Sequence, residues 1–144
     1  MHVLWGAMEK LVAKGLTRAI GVSNFNTLLL ADMLTYAKIP PAVNQICIYP
    51  CHAQQKHIDF IVDHGIVPVA YSPLGRIGSS FGPVTSVNLL DDPLIRHLAK
   101  KYNRTAGQVL LSWGLSRGYP VLAKASSLKH QKENFAVFEM ERLT

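Results

Sequence analysis

The sequence predicts an α/β fold in which short parallel strands alternate with amphipathic helices. Four short apolar runs of strand length alternate with longer segments whose apolar residues recur at helical spacing. The runs begin about 25 to 50 residues apart, which leaves room for the crossover helix that joins parallel strands. None of the runs alternates polar with apolar residues, as is typical of strands covered on both faces. We therefore expect a single domain over residues 1–144.

The chain opens with a predicted helix, a strand and a second helix. Apolar residues at helical spacing over 4–12 predict the first helix, and Gly15 follows as a stop signal. A strand is predicted over 18–22. The next helix spans 27–36, and Asn26 stands where it can cap the first turn.

Two further strands follow, with a helix between them. A strand over 42–46 precedes a helix over 54–64, which Gly65 ends. The next strand spans 66–71. It contains Pro68, which a strand tolerates only at its start or at an edge of the sheet.

The last third of the chain contains a loop, two helices, a strand and a final helix. The loop, rich in Gly, Ser and Pro, runs from 72 to about 90; the periodicity is the same on both sides, so we interpret it as an insertion within one domain. Helices are predicted over 92–102 and 105–117. A strand over 119–123 precedes a last helix over about 130–138.

Charge and composition exclude several classes of protein. The net charge is +6, from 15 Lys and Arg against 9 Asp and Glu, but only Lys100 and Lys101 are adjacent. Scattered basic residues do not favour nucleic acid as a partner, whereas a mild surplus suits an anionic small ligand. No apolar run approaches the roughly 20 residues of a membrane span. The start of the chain does not resemble a signal peptide and two cysteines make no disulfide framework, so we expect a cytoplasmic protein.

Polar side chains lie near or just after the carboxyl end of each predicted strand. In chain order these are Ser23 and Asn24, Asn44 and Gln45, Tyr71 and Ser72, and finally Lys124, Ser126 and Ser127. The carboxyl ends of parallel strands share one edge of a sheet, where ligands of α/β folds bind. These residues therefore predict a polar ligand site. The alternative is that they only form turns and cap helices.

Several stretches of the sequence resemble signature motifs of the aldo-keto reductases, in particular the branch similar to aldose reductase. They are Gly21-Val22-Ser23-Asn24-Phe25, Pro41-Ala42-Val43-Asn44-Gln45, Ala70-Tyr71-Ser72-Pro73-Leu74-Gly75, Thr105-Ala106-Gly107-Gln108-Val109-Leu110-Leu111, and Lys124-Ala125-Ser126-Ser127 followed by Glu133-Asn134. They stand in family order and cover nearly the whole chain. The resemblance implies a TIM barrel, of which 144 residues could form only the C-terminal half, because a full barrel needs about 250. It also implies NADP(H) and the reduction of aldehydes or ketones by hydride transfer.

The resemblance implies a role for twelve residues in binding the cofactor. Tyr71 would stack on the nicotinamide, and Ser23, Asn24 and Gln45 would hydrogen-bond its carboxamide. The residues implied around the phosphates and the adenosine are Ser72 and Leu74 along the pyrophosphate, Lys124 at the 2′-phosphate with Ser126, Ser127 and His130 near it, and Glu133 and Asn134 at the adenine.

Three positions of the phosphate end depart from the family pattern. Ala123 stands where the family usually has Pro, and Ala125 stands where it has Ser, which removes a hydroxyl donor. His130 replaces an Arg and cannot supply the same permanently charged fork. We therefore expect weaker NADPH binding than in a typical relative, and some tolerance of NADH.

A metal site around Cys47, Cys51, His52 and His57 is not favoured, because their spacing fits no zinc pattern. Nor does any stretch match the family's catalytic Tyr, Lys, Asp and His, so we predict no catalytic residue in this chain.

Three hypotheses follow from the sequence. The first is part of an NADP-dependent carbonyl reductase, acting on a small carbonyl substrate in the complete enzyme. The second is a non-catalytic fragment or pseudoenzyme that binds nucleotide or a protein partner, and the third is an unrelated α/β binding domain, which the ordered motifs disfavour. A half-barrel leaves open edges and an apolar face, so we also expect the isolated chain to associate.

Overall fold

A computed structural model of the chain describes residues 1–75 and 88–139. Within these ranges it contains six α-helices, four strands and two 3₁₀ turns. The helices are α1 His2–Ala13, α2 Thr27–Tyr36, α3 Gln55–Asp63, α4 Pro93–Lys101, α5 Ala106–Ser116 and α6 Leu128–Phe135; the strands are β1 Val22–Ser23, β2 Val43–Cys47, β3 Val67–Tyr71 and β4 Val121–Leu122; the 3₁₀ turns are Leu89–Asp91 and Ala136–Glu139. Most of the predicted loop over 72–90 lies outside the described residues.

The four strands form one parallel sheet in the order β1-β2-β3-β4. Val22 pairs with Asn44, and the register between β3 and β4 pairs Tyr71 with Leu122. Sequence order and sheet order coincide, as expected when each helix connects neighbouring parallel strands. The predicted α/β fold with four parallel strands is confirmed.

The middle strands are not covered on both faces. In β2, Asn44 and Ile46 are buried, whereas Val43, the first residue of the strand, and Gln45 are only half-buried. In β3, Ala70 is buried but Val67 remains 43% exposed. The expectation of two covered faces was wrong because an unbroken apolar run reports hydrophobicity and not which face finds a packing partner.

The described residues group into two compact units. The first comprises Met1–Ile46 and Gln54–Val69. Its core contains Trp5 from α1, Met33 from α2 and Ile20 before β1, with partly buried side chains such as Phe25 packed against them. The Trp5 indole N–H also donates to the backbone oxygen of Ile39 at 3.0 Å, which ties α1 to the segment after α2.

The second unit comprises Cys47–Ala53 and the chain from Ala70 onward. Its core is formed by Cys47, Tyr49, Leu89, Ile95, Val109 and Leu110. The Asp92 carboxylate caps α4 by accepting from two backbone amides. Thr105 and Gln108 form a capping box at the start of α5, which satisfies amides that the helix itself cannot pair. No helix of the described residues has the length and apolar character needed to cross a membrane.

Candidate functional site

In the first unit, the chain turns sharply as it leaves β1. The Ser23 hydroxyl donates to the backbone oxygen of Gln45 at 2.8 Å, and the backbone N–H of Asn24 donates to the same oxygen at 3.0 Å. Asn24 adopts the left-handed conformation, with φ of 58°. Asparagine tolerates this conformation better than most residues. Three of the residues predicted to bind the carboxamide, Ser23, Asn24 and Gln45, are therefore together at the carboxyl ends of β1 and β2.

Asn44 holds this turn from the sheet side. Its side chain is fully buried, and its amide nitrogen donates to the backbone oxygen of Phe25 at 2.8 Å while its amide oxygen accepts from the Phe25 N–H at 3.4 Å. The sequence predictions placed Asn44 at the strand end but gave it no role. An amide inside an otherwise apolar strand was the available signal, since buried polar groups require partners.

His57 holds the same turn from α3. One ring nitrogen, Nε2, lies 2.9 Å from the backbone oxygen of Phe25, and the other, Nδ1, lies 2.9 Å from the Thr27 hydroxyl. Both ring nitrogens thus contact protein groups, which leaves neither for a metal ion in this arrangement. From the sequence, His57 was weighed only as a metal ligand. No residue near it in the chain indicated a contact with Phe25.

The second unit contains the segment after β3. Tyr71, half-buried, is the last residue of β3, and Ser72 follows with a left-handed φ of 52°. The Gly75 amide donates to the backbone oxygen of Ser72 at 3.0 Å and closes a tight turn. Leu74, within that turn, packs against the core of the second unit. Tyr71, Ser72 and Leu74 thus leave the strand in a single compact turn.

A pocket of about 300 Å³ in the second unit brings five of the predicted cofactor residues together. It is lined by Leu74, Lys124, His130, Glu133 and Asn134, which come from the turn after β3, the segment after β4, and α6. Its remaining wall is the start of α5, with Thr105, Ala106 and Gly107, and the nearby Leu90. A β-carbon at Gly107 would lie 3.8 Å from the Thr105 hydroxyl and 4.0 Å from the Leu74 side chain, so this wall could also accommodate alanine.

A second pocket, of about 710 Å³, shares Lys124 and Asn134 with the first. It extends along β4 to Tyr71 and Ser72, and its outer wall includes the exposed Phe135. The two pockets therefore form neighbouring compartments on either side of Lys124 and Asn134, one mostly apolar and one with several polar groups.

The charges at the smaller pocket come from a few side chains. Lys124 and His130 are both exposed at its mouth. Glu133 forms a long ion pair with Lys129, one helical turn earlier, at 3.9 Å. A long pair of this kind, with Lys129 exposed and Glu133 half-buried, contributes little stability.

Of the residues predicted near the 2′-phosphate, Ser126 and Ser127 line neither pocket. The Ser127 hydroxyl accepts from the His130 amide at 3.2 Å and caps α6, so its first role is structural. Ser126 is exposed beside it. The alternative interpretation of polar residues after strands, as caps, thus describes Ser127.

Gln108 connects the wall of the smaller pocket to α6, which the sequence did not predict. It is 6% exposed, completes the capping box with Thr105, and donates from its side-chain nitrogen to the Glu133 backbone oxygen at 3.0 Å. The Thr-x-x-Gln spacing that marks a capping box was visible in the sequence. The cross-helix bond to Glu133 was not, since it depends on the packing of α5 against α6.

Cys47 is buried in the core of the second unit, and Cys51 is exposed. Among the described residues, no three His, Cys, Asp or Glu side chains lie close enough together to hold a metal ion.

Comparisons with known proteins place this geometry in a family. A sequence model described as the aldo/keto reductase family matches residues 1–144. The chain is 39% identical over 137 residues to the NADP-dependent D-sorbitol-6-phosphate dehydrogenase of Malus domestica, covering 95% of this chain and 44% of that protein. It is 46% identical over 142 residues to an NAD(P)H-dependent D-xylose reductase of Pyricularia oryzae, covering 91% of this chain and 42% of that protein.

A solved structure agrees with the sequence comparisons. The aldose reductase of Giardia lamblia superposes with a TM-score of 0.87 at 36% identity, covering 97% of this chain and 45% of that one. The chain thus spans somewhat under half the length of the relatives that it matches.

Proposed function

The chain belongs to the aldo/keto reductase family of oxidoreductases, and on that premise we propose that it provides the cofactor-binding part of an NADP-dependent enzyme. That enzyme would reduce small aldehydes or ketones to alcohols by transfer of a hydride from the nicotinamide. The names of two relatives, an NADP-dependent dehydrogenase and an NAD(P)H-dependent reductase, support this cofactor.

The observation that carries the proposal is the smaller pocket around Lys124. A volume of about 300 Å³ lies within the range of small-molecule sites. Lys124 offers a point charge for the 2′-phosphate of the adenosine ribose, and Asn134 offers an amide that can both donate and accept at a base edge. Leu74, expected along the pyrophosphate, and Gly107 line the same pocket.

We propose separate contacts for the nicotinamide. Tyr71 would offer its ring face for stacking, which excludes water from one side of the reacting ring. Ser23, Asn24 and Gln45 would bond the carboxamide and so fix which face of the ring is presented to substrate. The hydrogen bonds that already hold the Ser23–Asn24 turn against Gln45 support this assignment, since a site for an amide must be rigid to orient it.

The phosphate contacts indicate a modest preference for NADP(H) over NAD(H). Ala125 offers no side-chain donor, which leaves the Ser127 hydroxyl, an acceptor in the cap of α6 that can still donate its hydrogen. His130 lines the pocket but lacks the fixed bidentate fork of arginine. Lys124 would therefore carry most of the selectivity, with NADH tolerated.

The test replaces Lys124 and follows the binding of both cofactors by fluorescence titration. Lys124→Met should raise the Kd for NADPH about tenfold, because a hydrogen bond to a charged group contributes about 1.5–3 kcal/mol and a tenfold change needs about 1.4. The Kd for NADH should not change. Lys132→Met is the matched control: it removes the same charge from exposed α6, where Lys132 lines neither pocket. Equal losses for NADPH and NADH, or an equal effect of Lys132→Met, would contradict the assignment.

A second candidate function is nucleotide or partner binding without catalysis. It is favoured by the sequence of these 144 residues, in which no motif resembles the family's catalytic Tyr, Lys, Asp and His. Aldehyde-dependent NADPH oxidation by this chain, compared with the whole protein that its gene encodes, separates the two. We expect no turnover above background from the chain alone.

A further inference from the structure

We infer that His57 is a positioning residue that fixes the turn after β1, the segment that carries Ser23 and Asn24. The inference concerns the conformation of that turn. Its consequence for the nicotinamide rests on the proposed function.

The ring of His57 can satisfy both of its contacts in one protonation form. A backbone oxygen can only accept, so Nε2, 2.9 Å from the Phe25 oxygen, must be the nitrogen that carries a hydrogen. In the neutral ring Nδ1 is then an acceptor, and the Thr27 hydroxyl at 2.9 Å can donate to it. His57 therefore joins α3 both to the turn and to the first residue of α2.

The Phe25 backbone oxygen receives two donors from two different elements. One is Nε2 of His57 from α3, and the other is Nδ2 of the buried Asn44 from β2, at 2.8 Å. A carbonyl oxygen has two lone pairs, so both are used and the direction of the peptide is fixed. Removal of either donor leaves the peptide able to rotate about the remaining bond.

α3 holds His57 rigidly enough for this role. Ile58 and Ile61 on the inner face of the helix are 5% and 0% exposed, and burial of this kind fixes the helix in place. His57 itself is half-buried beside them.

The turn needs such a restraint because it contains a conformation that the chain would otherwise leave. Asn24 has a left-handed φ of 58°, which asparagine tolerates better than most residues but less readily than glycine. The contacts of His57 and Asn44 to the next residue, Phe25, oppose relaxation. When the restraint from His57 is lost, we expect Asn24 to sample extended conformations and the hydroxyl of Ser23 to lose its fixed position.

The experiment compares His57→Leu, His57→Gln and His64→Leu in the full chain. Leucine removes both polar contacts at similar volume, whereas the glutamine amide can still donate to the Phe25 oxygen. His64→Leu is the matched control, because His64 lies at the end of α3 and contacts Phe60, away from the turn. Two ligands are titrated: NADPH, and adenosine 2′,5′-bisphosphate, which has the same phosphate but no nicotinamide. Amide hydrogen exchange of Asn24 and Phe25 is followed in parallel.

His57→Leu should raise the Kd for NADPH about fivefold to tenfold and leave that for adenosine 2′,5′-bisphosphate unchanged, because loss of one hydrogen bond has about this effect. Exchange of the Asn24 and Phe25 amides should accelerate about tenfold. His57→Gln should recover most of both effects, and His64→Leu should show neither.

The outcomes that overturn the inference are distinct. Unchanged amide exchange in His57→Leu refutes the restraint itself, whatever the cofactor does. Equal weakening of both ligands, or the same loss in His64→Leu, shows a general loss of structure instead of a positioning role. If the parent chain binds neither ligand, the proposed function fails, and the amide exchange still decides whether His57 holds the turn.

Discussion

Replacement of Gly21 by alanine should destabilise the chain because β2 lies against the glycine. A β-carbon at this position would lie 2.5 Å from a methyl carbon of Val43 and 2.8 Å from the Val43 backbone oxygen. Carbon atoms in ordinary contact are about 3.5–4.0 Å apart, so the neighbours would have to move by about 1 Å. The methyl group can rotate away, but the carbonyl belongs to the backbone of β2.

The expected change in the free energy of unfolding for Gly21→Ala combines two opposing effects. Extra methyl groups in a packed site cost about 1–3 kcal/mol. Alanine restricts the unfolded chain more than glycine does, which returns about 0.4–1 kcal/mol. The expected net loss for Gly21→Ala is therefore about 1–2 kcal/mol of the free energy of unfolding.

Gly6→Ala is the matched control. Gly6 lies inside α1, and apart from its chain neighbours and the helix's own backbone, no atom of the described residues stands within 4 Å of the position that its β-carbon would occupy. Alanine is a better helix former than glycine by about 0.8–1.0 kcal/mol, so this variant should be more stable than the parent chain. Urea unfolding followed by tryptophan fluorescence measures both, with Trp5 reporting on the unit that contains both glycines. A stable Gly21→Ala, or an equally destabilised Gly6→Ala, would refute the steric argument.

Two further substitutions test buried polar groups of the second unit. Gln108→Leu should cost about 2 kcal/mol in the free energy of unfolding, because it removes half of the capping box with Thr105 and leaves the Glu133 oxygen without that donor; urea unfolding would show it, and a loss below about 0.5 kcal/mol would contradict it. Tyr119→Phe should stabilise by about 1 kcal/mol, since the buried phenol oxygen has no hydrogen-bond partner of good geometry among the described residues. Burial also raises the pKa of Tyr119 above its usual 10.0, although the nearby Arg117 charge partly offsets this. The unfolded phenol ionises first, so stability is complete below about pH 10 and falls above it, and Tyr119→Phe should reduce that fall in melting temperatures measured from pH 9 to 11.5.

The elements that could be predicted from the sequence are those fixed by local signals. The helix over Thr27–Tyr36 begins and ends as predicted, because Asn26 caps it and its apolar face is continuous. The strand predicted over 18–22 is in fact only Val22–Ser23. Hydrophobicity marks a segment as buried, but a strand exists only where a neighbour pairs with it, and here the pairing covers two residues. Pro68 is the second residue of β3, a position near the strand start that proline tolerates.

The candidate site divides in the same way. The carboxyl ends of the predicted strands indicated where polar side chains gather. Lys124, Glu133 and Asn134 do line one pocket. The contacts of Asn44 and His57 with the turn after β1 could not be predicted, because they join residues that are 19 and 32 positions apart from Phe25. Such contacts depend on how strands and helices pack, which no local pattern contains.

A polar residue after a strand can serve a ligand, a helix or a turn, and its hydrogen bonds distinguish these roles. The Ser127 hydroxyl accepts from an amide of α6 and the Ser23 hydroxyl donates to the Gln45 oxygen, so each has a structural partner before any cofactor binds. A hydroxyl that makes one of these bonds can still make a second bond to a ligand. Ser127 can still donate its hydrogen, whereas the oxygen of Ser23 can still accept one. A phosphate needs donors, and the carboxamide of nicotinamide has N–H groups that need an acceptor. The remaining capacities therefore suit a phosphate at Ser127 and an amide at Ser23, and the two roles of each residue are compatible.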